Sequence, residues 1–407
     1  MKDRVILHCD CNSFFASVET ALNPSYRDIP MAVCGSKELR HGIVLAKNEL
    51  AKSYGVKTAE TIYQAKSKCP GLVIASPHFS EYVKYSRLVN AIYYEYTDKV
   101  ESFGIDESWL DVTDCGRLFG DGKTIAEAIR ERVKREVGIT VSVGVSFNKV
   151  FAKLGSDYKK PDAVTVIDRG NMERIVYPLP VSDLLYIGNK TTQELFKLGI
   201  RTIGDLAQAS EEFLIRKFGK MGEILYKYSR GLDDSPVEQR DDSNPKSVGN
   251  GYTFKHDLVS FEEARVGIYY LAEEIGTRLR KKGKKAGTVS LTIKDSELRS
   301  IQRQRTLKAH TDVGEDIAAT AFNILCEEWI EGKPIRMLTV TASSLIGATD
   351  DAVQLDLFGD TDTKKRDKDK RRELTVDKIK EKYGLGAIKR GAFINNDMGL
   401  DDLVEKD

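Results

Sequence analysis

No stretch of the chain approaches the ~18 uninterrupted apolar residues that a membrane helix needs, so no membrane span is expected. Met1-Lys2-Asp3-Arg4 leads into only a short apolar run, which speaks against a secretory signal. Cysteines are few and scattered. The six (Cys9, Cys11, Cys34, Cys69, Cys115 and Cys326) form no CxxC pair and no zinc spacing, which excludes a disulfide-stapled fold. Buried thiols in a reducing cytoplasm are expected instead, with Cys9 and Cys11 sharing one face of a strand. The five histidines show no HExxH or other paired spacing, so histidine chemistry is not expected to drive the protein. Net charge is nearly absent too: 63 Lys+Arg against 62 Asp+Glu leave +1. Taken as an average, that argues against a nucleic-acid partner, but an average hides asymmetry.

What is present is ordinary globular material: 407 residues, 41% hydrophobic and 31% charged, enough for two or three domains at about 150 residues each. Residues 1–167 alternate strand and helix signals. Strands are expected at 5–11, 31–34, 72–75, 100–103, 109–112, 140–146 and 164–167, with helices at 79–97 and 123–137. The pattern is mixed α/β, or α+β with an antiparallel sheet, and the strand order stays open. From 168 to 232 strand signals give way to short helices punctuated by glycine. Gly188 with Lys190, and later Gly199 and Gly204, fit a helix-hairpin-helix whose free N–H groups hold phosphate. A plain glycine cap between packed helices is the better reading of that segment alone.

Residues 233–247 are polar and Pro-containing, as a linker should be. A strand, helix, strand, strand, helix, strand series then spans 248–346, the ferredoxin-like βαββαβ order. Here the charge asymmetry appears. Residues 246–310 hold 14 Lys/Arg and 7 Asp/Glu, a net of +7 that leaves −6 for the rest of a +1 chain. Arg278, Lys281 and Lys284 close the first helix of this series, and Arg303 and Arg305 alternate on one face of a strand. A solvated basic face is the plain alternative, but so dense a run more often meets phosphate. In the tail from 347 to 407, residues 360–373 lack any apolar side chain and are expected to be disordered. Just before them lies an apolar cluster, Gln354-Leu-Asp-Leu-Phe358, of the kind that docks on a partner.

Carboxylates carry the chemistry. Asp10 interrupts the first apolar strand near its end, and Asp106-Glu107 sits at an expected hairpin. Taken singly, each acid is better explained as an exposed loop residue. Together, three hard oxygen ligands without His or Cys point to Mg²⁺, as two ions sharing the cluster for phosphoryl transfer.

Four stretches carry a resemblance. Asp10-Cys-Asn-Ser-Phe-Phe-Ala-Ser-Val-Glu19, Ser102-Phe-Gly-Ile-Asp-Glu-Ser-Trp-Leu-Asp111, Ser142-Val-Gly-Val-Ser-Phe-Asn-Lys-Val-Phe-Ala-Lys153 and Lys159-Lys-Pro161 resemble, in order, the motifs of Y-family translesion DNA polymerases. The resemblance spans about residues 4–345. It implies an α+β right hand: palm (1–22 and 72–167), fingers (23–71), thumb (168–232), little finger (248–346) and tail. Asp10, Asp106, Glu107 and the main-chain carbonyl of Cys11 would hold two Mg²⁺. A primer 3′-hydroxyl would attack the α-phosphate of a deoxynucleotide and release pyrophosphate. Phe15 matches the ring that excludes a ribose 2′-hydroxyl, with Phe14 either a core residue or part of the sugar pocket. Lys160 matches the triphosphate lysine.

One departure stands out. Many members carry Tyr-x-x-Arg in the fingers, where this chain has Glu49-Leu-Ala-Lys52. Asn48 and Lys52 therefore become the expected nucleotide contacts, closer to the DNA polymerase V type, with Lys lacking the fork of Arg. Gln354, Leu355, Leu357 and Phe358 resemble the peptide that docks on a bacterial sliding clamp. The expected protein is a cytoplasmic monomer that copies past damaged bases on primer-template DNA. A non-catalytic DNA- and clamp-binding factor that kept the fold is the alternative, against which the intact acid triplet argues. A two-metal palm enzyme such as a nucleotide cyclase would leave the hairpins, the basic segment and the clamp-like peptide unexplained.

Overall fold

The computed structural model describes residues 3–36, 40, 42–239, 244–349, 361–394 and 397–400. The chain forms two compact units, Met1–Gly35 with Ile43–Arg240, and Ser36–Gly42 with Asp241–Asp407.

The first unit opens with β1 (Ile6–Cys11), α1 (Phe14–Leu22), β2 (Met31–Cys34), β3 (Val44–Lys47), α2 (Glu49–Ser53), α3 (Ile62–Lys68) and β4 (Val73–Ala75). It continues through α4 (Phe79–Tyr94), β5 (Val100–Ser102), β6 (Glu107–Asp111), α5 (Gly116–Phe119), α6 (Gly122–Arg132), β7 (Val141–Ser146), α7 (Lys149–Tyr158) and β8 (Val164–Ile167). The helices α8 (Met172–Ile175), α9 (Asn189–Lys197), α10 (Ile203–Gln208), α11 (Glu211–Phe218) and α12 (Lys220–Ser229) close it.

Five strands form one sheet in the order β5-β6-β1-β7-β8, with β1 central and antiparallel to both neighbours. Its two faces are sorted by the pleat. Leu7, Cys9 and Cys11 point to the face covered by Tyr82, Val89 and Ile92 of α4 and by Ile125 and Ile129 of α6. Ile6, His8 and Asp10 point the other way, toward α7. That helix lies unusually close because Gly144 has no side chain. A Cβ there would sit 1.8 Å from the Ala152 carbonyl oxygen. Asn148 fixes where α7 starts, its side chain accepting from the Phe151 N–H at 2.8 Å.

A smaller sheet, β3-β2-β4, is covered by α2 and α3 around Val44, Ala51, Val56 and Ala65. The later helices bury their own apolar residues with Phe151 and Leu154 of α7. Residues 233–239, the first part of the expected 233–247 linker, are pinned to the sheet. Arg4 donates to the Ser235 and Asp233 carbonyls, and Val237 is buried beside Ile6 and Trp109. A single apolar residue in a polar stretch found an open slot, which composition averages away.

The second unit holds β9 (Ser247–Leu258), α13 (Phe261–Lys281), β10 (Lys284–Asp295), β11 (Ser300–Thr311), α14 (Gly314–Glu328) and β12 (Ile335–Gly347). The expected βαββαβ order is present. The strands lie β11-β10-β12-β9, so each helix connects two strands that flank a third. Ile268, Leu271, Ile275 and Leu279 of α13 pack on Val289, Leu291 and Ile293 of β10.

The tail corrects an expectation. Residues 360–373 were expected to be disordered, yet α15 runs from Thr361 to Tyr383. Ion pairing replaces the missing apolar contacts. Glu373 and Asp377 clasp Arg280, Lys380 and Arg390 hold Glu273, and Lys370 meets Asp312. Beyond the helix Met398 and Leu400 are buried in the core of this unit, and the buried Phe393 packs edge-on against Tyr270 of α13. Among the described residues no helix is long and apolar enough to cross a membrane.

Candidate active site

Register brings the acids together. In the β1–β6 pair Asp10 lies directly opposite Glu107, so both side chains leave the same face. The Asp106 carbonyl accepts from the Cys11 N–H at 2.9 Å, which fixes the turn before β6 against the end of β1. Asp106 sits close enough to sense its neighbours. Burial, and then the negative charges of Asp10 and Glu107, push its carboxyl up to about 6. Glu107 moves the other way, to about 2. Burial opposes ionisation there, but contacts from His8 and Lys153 outweigh it.

Two lysines answer this crowding. Lys160 Nζ lies 2.7 Å from Asp10 Oδ2 and 2.6 Å from Asp157, and its own pKa rises because the two carboxylates outweigh its burial. Its loop is held in place by Asn12, whose Oδ1 accepts from the Asp162 N–H at 2.8 Å. Lys153, on α7, lies 2.6 Å from Glu107 Oε2. Ligand atoms of His8, Asp10 and Glu107 all fall within 4.8 Å of one another. Clustered carboxylates that need two cations to hold them are a donor set suited to a hard divalent ion.

On the other side of α1's start, Phe14 is a core residue, 3% exposed. Phe15 is only partly buried and stacks on Tyr82, with ring centroids 4.2 Å apart and planes 10° apart. Tyr82 is itself fixed. Its hydroxyl donates to the buried Glu19 carboxylate, which also accepts from the His78 N–H at 3.2 Å. A ring seated this way has little freedom to swing aside.

These elements match known proteins along most of the chain. Residues 9–157 match the model of the impB/mucB/samB family, 245–357 that of its C-terminal domain, and 182–233 a DNA polymerase-iota thumb domain. DNA polymerase IV of Acetivibrio thermocellus is 49% identical over 98% of this chain and 99% of its own length. DNA polymerase IV 1 of Bacillus subtilis is 36% identical over 97% and 94%. The chain belongs to the Y family of translesion DNA polymerases. A solved Y-family polymerase chimera shares the fold, with a TM-score of 0.75 at 23% identity, covering 84% of this chain and 99% of the other. The protein is a DNA-directed DNA polymerase, and nothing favours the non-catalytic alternative.

The remaining site expectations fall out unevenly in this polymerase. Asn48 is spent on structure: Oδ1 accepts from the Met31 and Ala51 N–H groups, and Nδ2 donates to the Ile29 carbonyl. Its expected nucleotide contact is therefore withdrawn, because a residue that caps α2 and ties it to β2 has no side-chain bond to spare. Lys52 is exposed and pairs with Glu49 at 3.4 Å. The Cys11 thiol is buried on the face opposite Asp10, so only its main chain can serve a metal. Gly188 is the N-cap of α9 with open space where a Cβ would go, and Lys190 is exposed beside it.

In the second unit Arg278 and Lys281 are exposed at the end of α13, and Lys284 reaches Asn244 at 2.9 Å. Arg303 and Arg305 do share a face, but register places them opposite Leu291 and Val289, on the helix-covered side. There they pair with Glu328 and Glu327 of α14. The clamp-like residues 354–358 lie outside the described residues. Missed from the sequence were His8 and Lys153 around Glu107, and Tyr82 with Glu19 behind Phe15. The His8-x-Asp10 spacing was the available signal, since residues two apart on a strand share a face.

Proposed function

We propose that this polymerase transfers a nucleotide from a dNTP to a primer 3′-hydroxyl at a site built on Asp10, Asp106 and Glu107, with two Mg²⁺ ions as cofactor. The observation that carries the reading is the convergence of three carboxylates where central strand β1 ends beside the start of β6, with Asp106 raised to about 6 by burial and by its neighbours. Asp10, Asp106, Glu107 and the Cys11 carbonyl would hold the ions, which when bound activate the attacking oxygen and stabilise the leaving one.

The chain's own residues do the rest. Lys160, now on Asp10, is placed to exchange that carboxylate for the anionic leaving group, where a cation lowers the barrier. Phe15, backed by Tyr82, presents its ring to the sugar and leaves no room for a 2′-hydroxyl. Lys52 adds charge from the fingers. The domain roles follow: palm on the five-stranded sheet, fingers on the small one, thumb at 168–232, and little finger at 248–346. Gly188, Lys190, Arg278, Lys281 and Lys284 would grip backbone phosphates without reading sequence, giving salt-dependent binding. Residues 354–358 dock the enzyme on the bacterial sliding clamp, and the enzyme works as a cytoplasmic monomer.

Primer extension on undamaged and damaged templates, with Mg²⁺ titrated from zero, tests the reading. Extension that needs Mg²⁺ and is lost in Asp106→Ala while primer-template binding persists is expected. Undiminished extension by that variant would overturn the assignment.

A further inference from the structure

We propose that His8 is a positioning residue for the polymerase reaction: held from behind by Ser156, its Nε2–H orients the Glu107 carboxylate for metal binding. The proposal rests on the reading of Glu107 as a metal ligand.

His8 is wholly buried on β1, two residues before Asp10 and on the same face. Its Nδ1 lies 2.8 Å from Ser156 Oγ on α7, and its Nε2 lies 3.4 Å from Glu107 Oε2. The ring also packs edge-on against Trp109, the residue opposite it on β6, with centroids 5.1 Å apart. Position and tilt are thus set from three sides. The reason α7 can reach is local: β1 pairs His8 with Gly144, the residue whose missing side chain lets the helix descend onto the sheet.

Proton placement follows from the neighbours. If the ring hydrogen sat on Nδ1 alone, the Nε2 lone pair would face a carboxylate oxygen 3.4 Å away, two negative ends turned on each other. With the hydrogen on Nε2, the Ser156 hydroxyl, which also reaches the Lys153 carbonyl at 2.8 Å, turns its one hydrogen to Nδ1, and Nε2–H faces Glu107 Oε2 across 3.4 Å. A doubly protonated ring also presents Nε2–H to Glu107, so the arrangement does not depend on titration. Lys153 meets the same oxygen, Oε2, at 2.6 Å. Glu107 is therefore anchored through one oxygen by two donors, and its other oxygen is left to turn toward the site. Outer partners of ligating carboxylates commonly set metal affinity by about 10–100-fold.

The test uses the full-length enzyme and Mn²⁺ as probe, with free Mn²⁺ followed by electron paramagnetic resonance, without DNA or nucleotide. His8→Phe should weaken Mn²⁺ binding about 10–100-fold and raise the Mg²⁺ needed for half-maximal extension by a similar factor. Primer-template affinity should stay unchanged. Ser156→Ala, which removes only the hydroxyl behind the ring, should shift both in the same direction by less, and His8→Gln should recover part of the loss. A folded His8→Phe enzyme with wild-type Mn²⁺ affinity would overturn the proposal, as would Ser156→Ala without effect. Glu107→Ala separates the two layers. If it loses Mn²⁺ while His8→Phe does not, His8 has no positioning role. If Glu107→Ala also keeps Mn²⁺, the metal-ligand reading fails and the proposal falls with it.

Discussion

Replacing Arg280 by Met should detach the C-terminal tail and cost the second unit more than any surface substitution could. The guanidinium is 6% exposed and saturated. Nε and Nη2 meet the two Asp377 oxygens at 2.6 and 3.1 Å, and Nη1 meets Glu373 at 2.5 Å and the Asp312 carbonyl at 2.6 Å. Glu373 is equally buried and also accepts from the Gly314 N–H at 2.9 Å, at the start of α14. Without Arg280 that carboxylate keeps only backbone donors. Removing one partner of a buried pair costs about 3–5 kcal/mol. Asp377 is 18% exposed, and water can rescue it in part, so the lower half of that range applies. At roughly 2–4 °C per kcal/mol for a unit of this size, melting should fall by about 6–16 °C. Calorimetry reads the loss, and amide exchange over residues 368–394 reads the release. Arg280→Met combined with Glu373→Leu and Asp377→Leu should recover much of the stability, because no charge is then stranded. A loss below about 1 kcal/mol for Arg280→Met alone would show that the cluster behaves as a surface pair, and the reasoning would be wrong.

Asp106→Ala should lower kcat for primer extension by about a thousandfold or more, since metal charge stabilisation is worth several kcal/mol. A gel-shift titration should give primer-template affinity near wild type. Phe15→Ala should cut the dNTP-over-NTP ratio of kcat/KM by at least about tenfold, checked by single-nucleotide incorporation. Tyr82→Leu should do the same more weakly, by unseating the ring. Gly144→Ala should destabilise the first unit by about 1–3 kcal/mol in urea unfolding, because its Cβ would fall 1.8 Å from the Ala152 oxygen. Leu357→Ala with Phe358→Ala should abolish stimulation by the sliding clamp and spare the basal rate, and an equal loss of both would place the segment in the core.

How legible all this was in the sequence depended on whether the signal was local. Asp10 stood out because a charge inside an apolar strand is costly without a role, and Asp106-Glu107 because they sit at a hairpin. Phe14 and Phe15 were ambiguous as a pair: helix periodicity marks both as apolar, and only the packed structure buries one and seats the other on Tyr82. Asn48 misled for a different reason. An amide beside a helix start serves as a cap as readily as a ligand, and its four bonds come from residues 17–22 positions away as well as from α2 itself. Arg303 and Arg305 show the limit of alternation, which tells which residues share a face but not which face the helices cover. The tail shows the limit of composition. A segment with no apolar residue cannot make a core, but buried charge pairing can hold it where the partner, Arg280, lies 93 residues earlier in the chain. His8 was the most instructive omission. Histidine was set aside for lack of a paired motif, yet its partners, Ser156 and Glu107, lie on α7 and β6. The glycine that brings α7 down is 136 positions from His8, so only the β1–β7 register makes them neighbours. Residues that define the chemistry could be found one at a time, whereas those that hold them in place are defined by contacts that no local window contains.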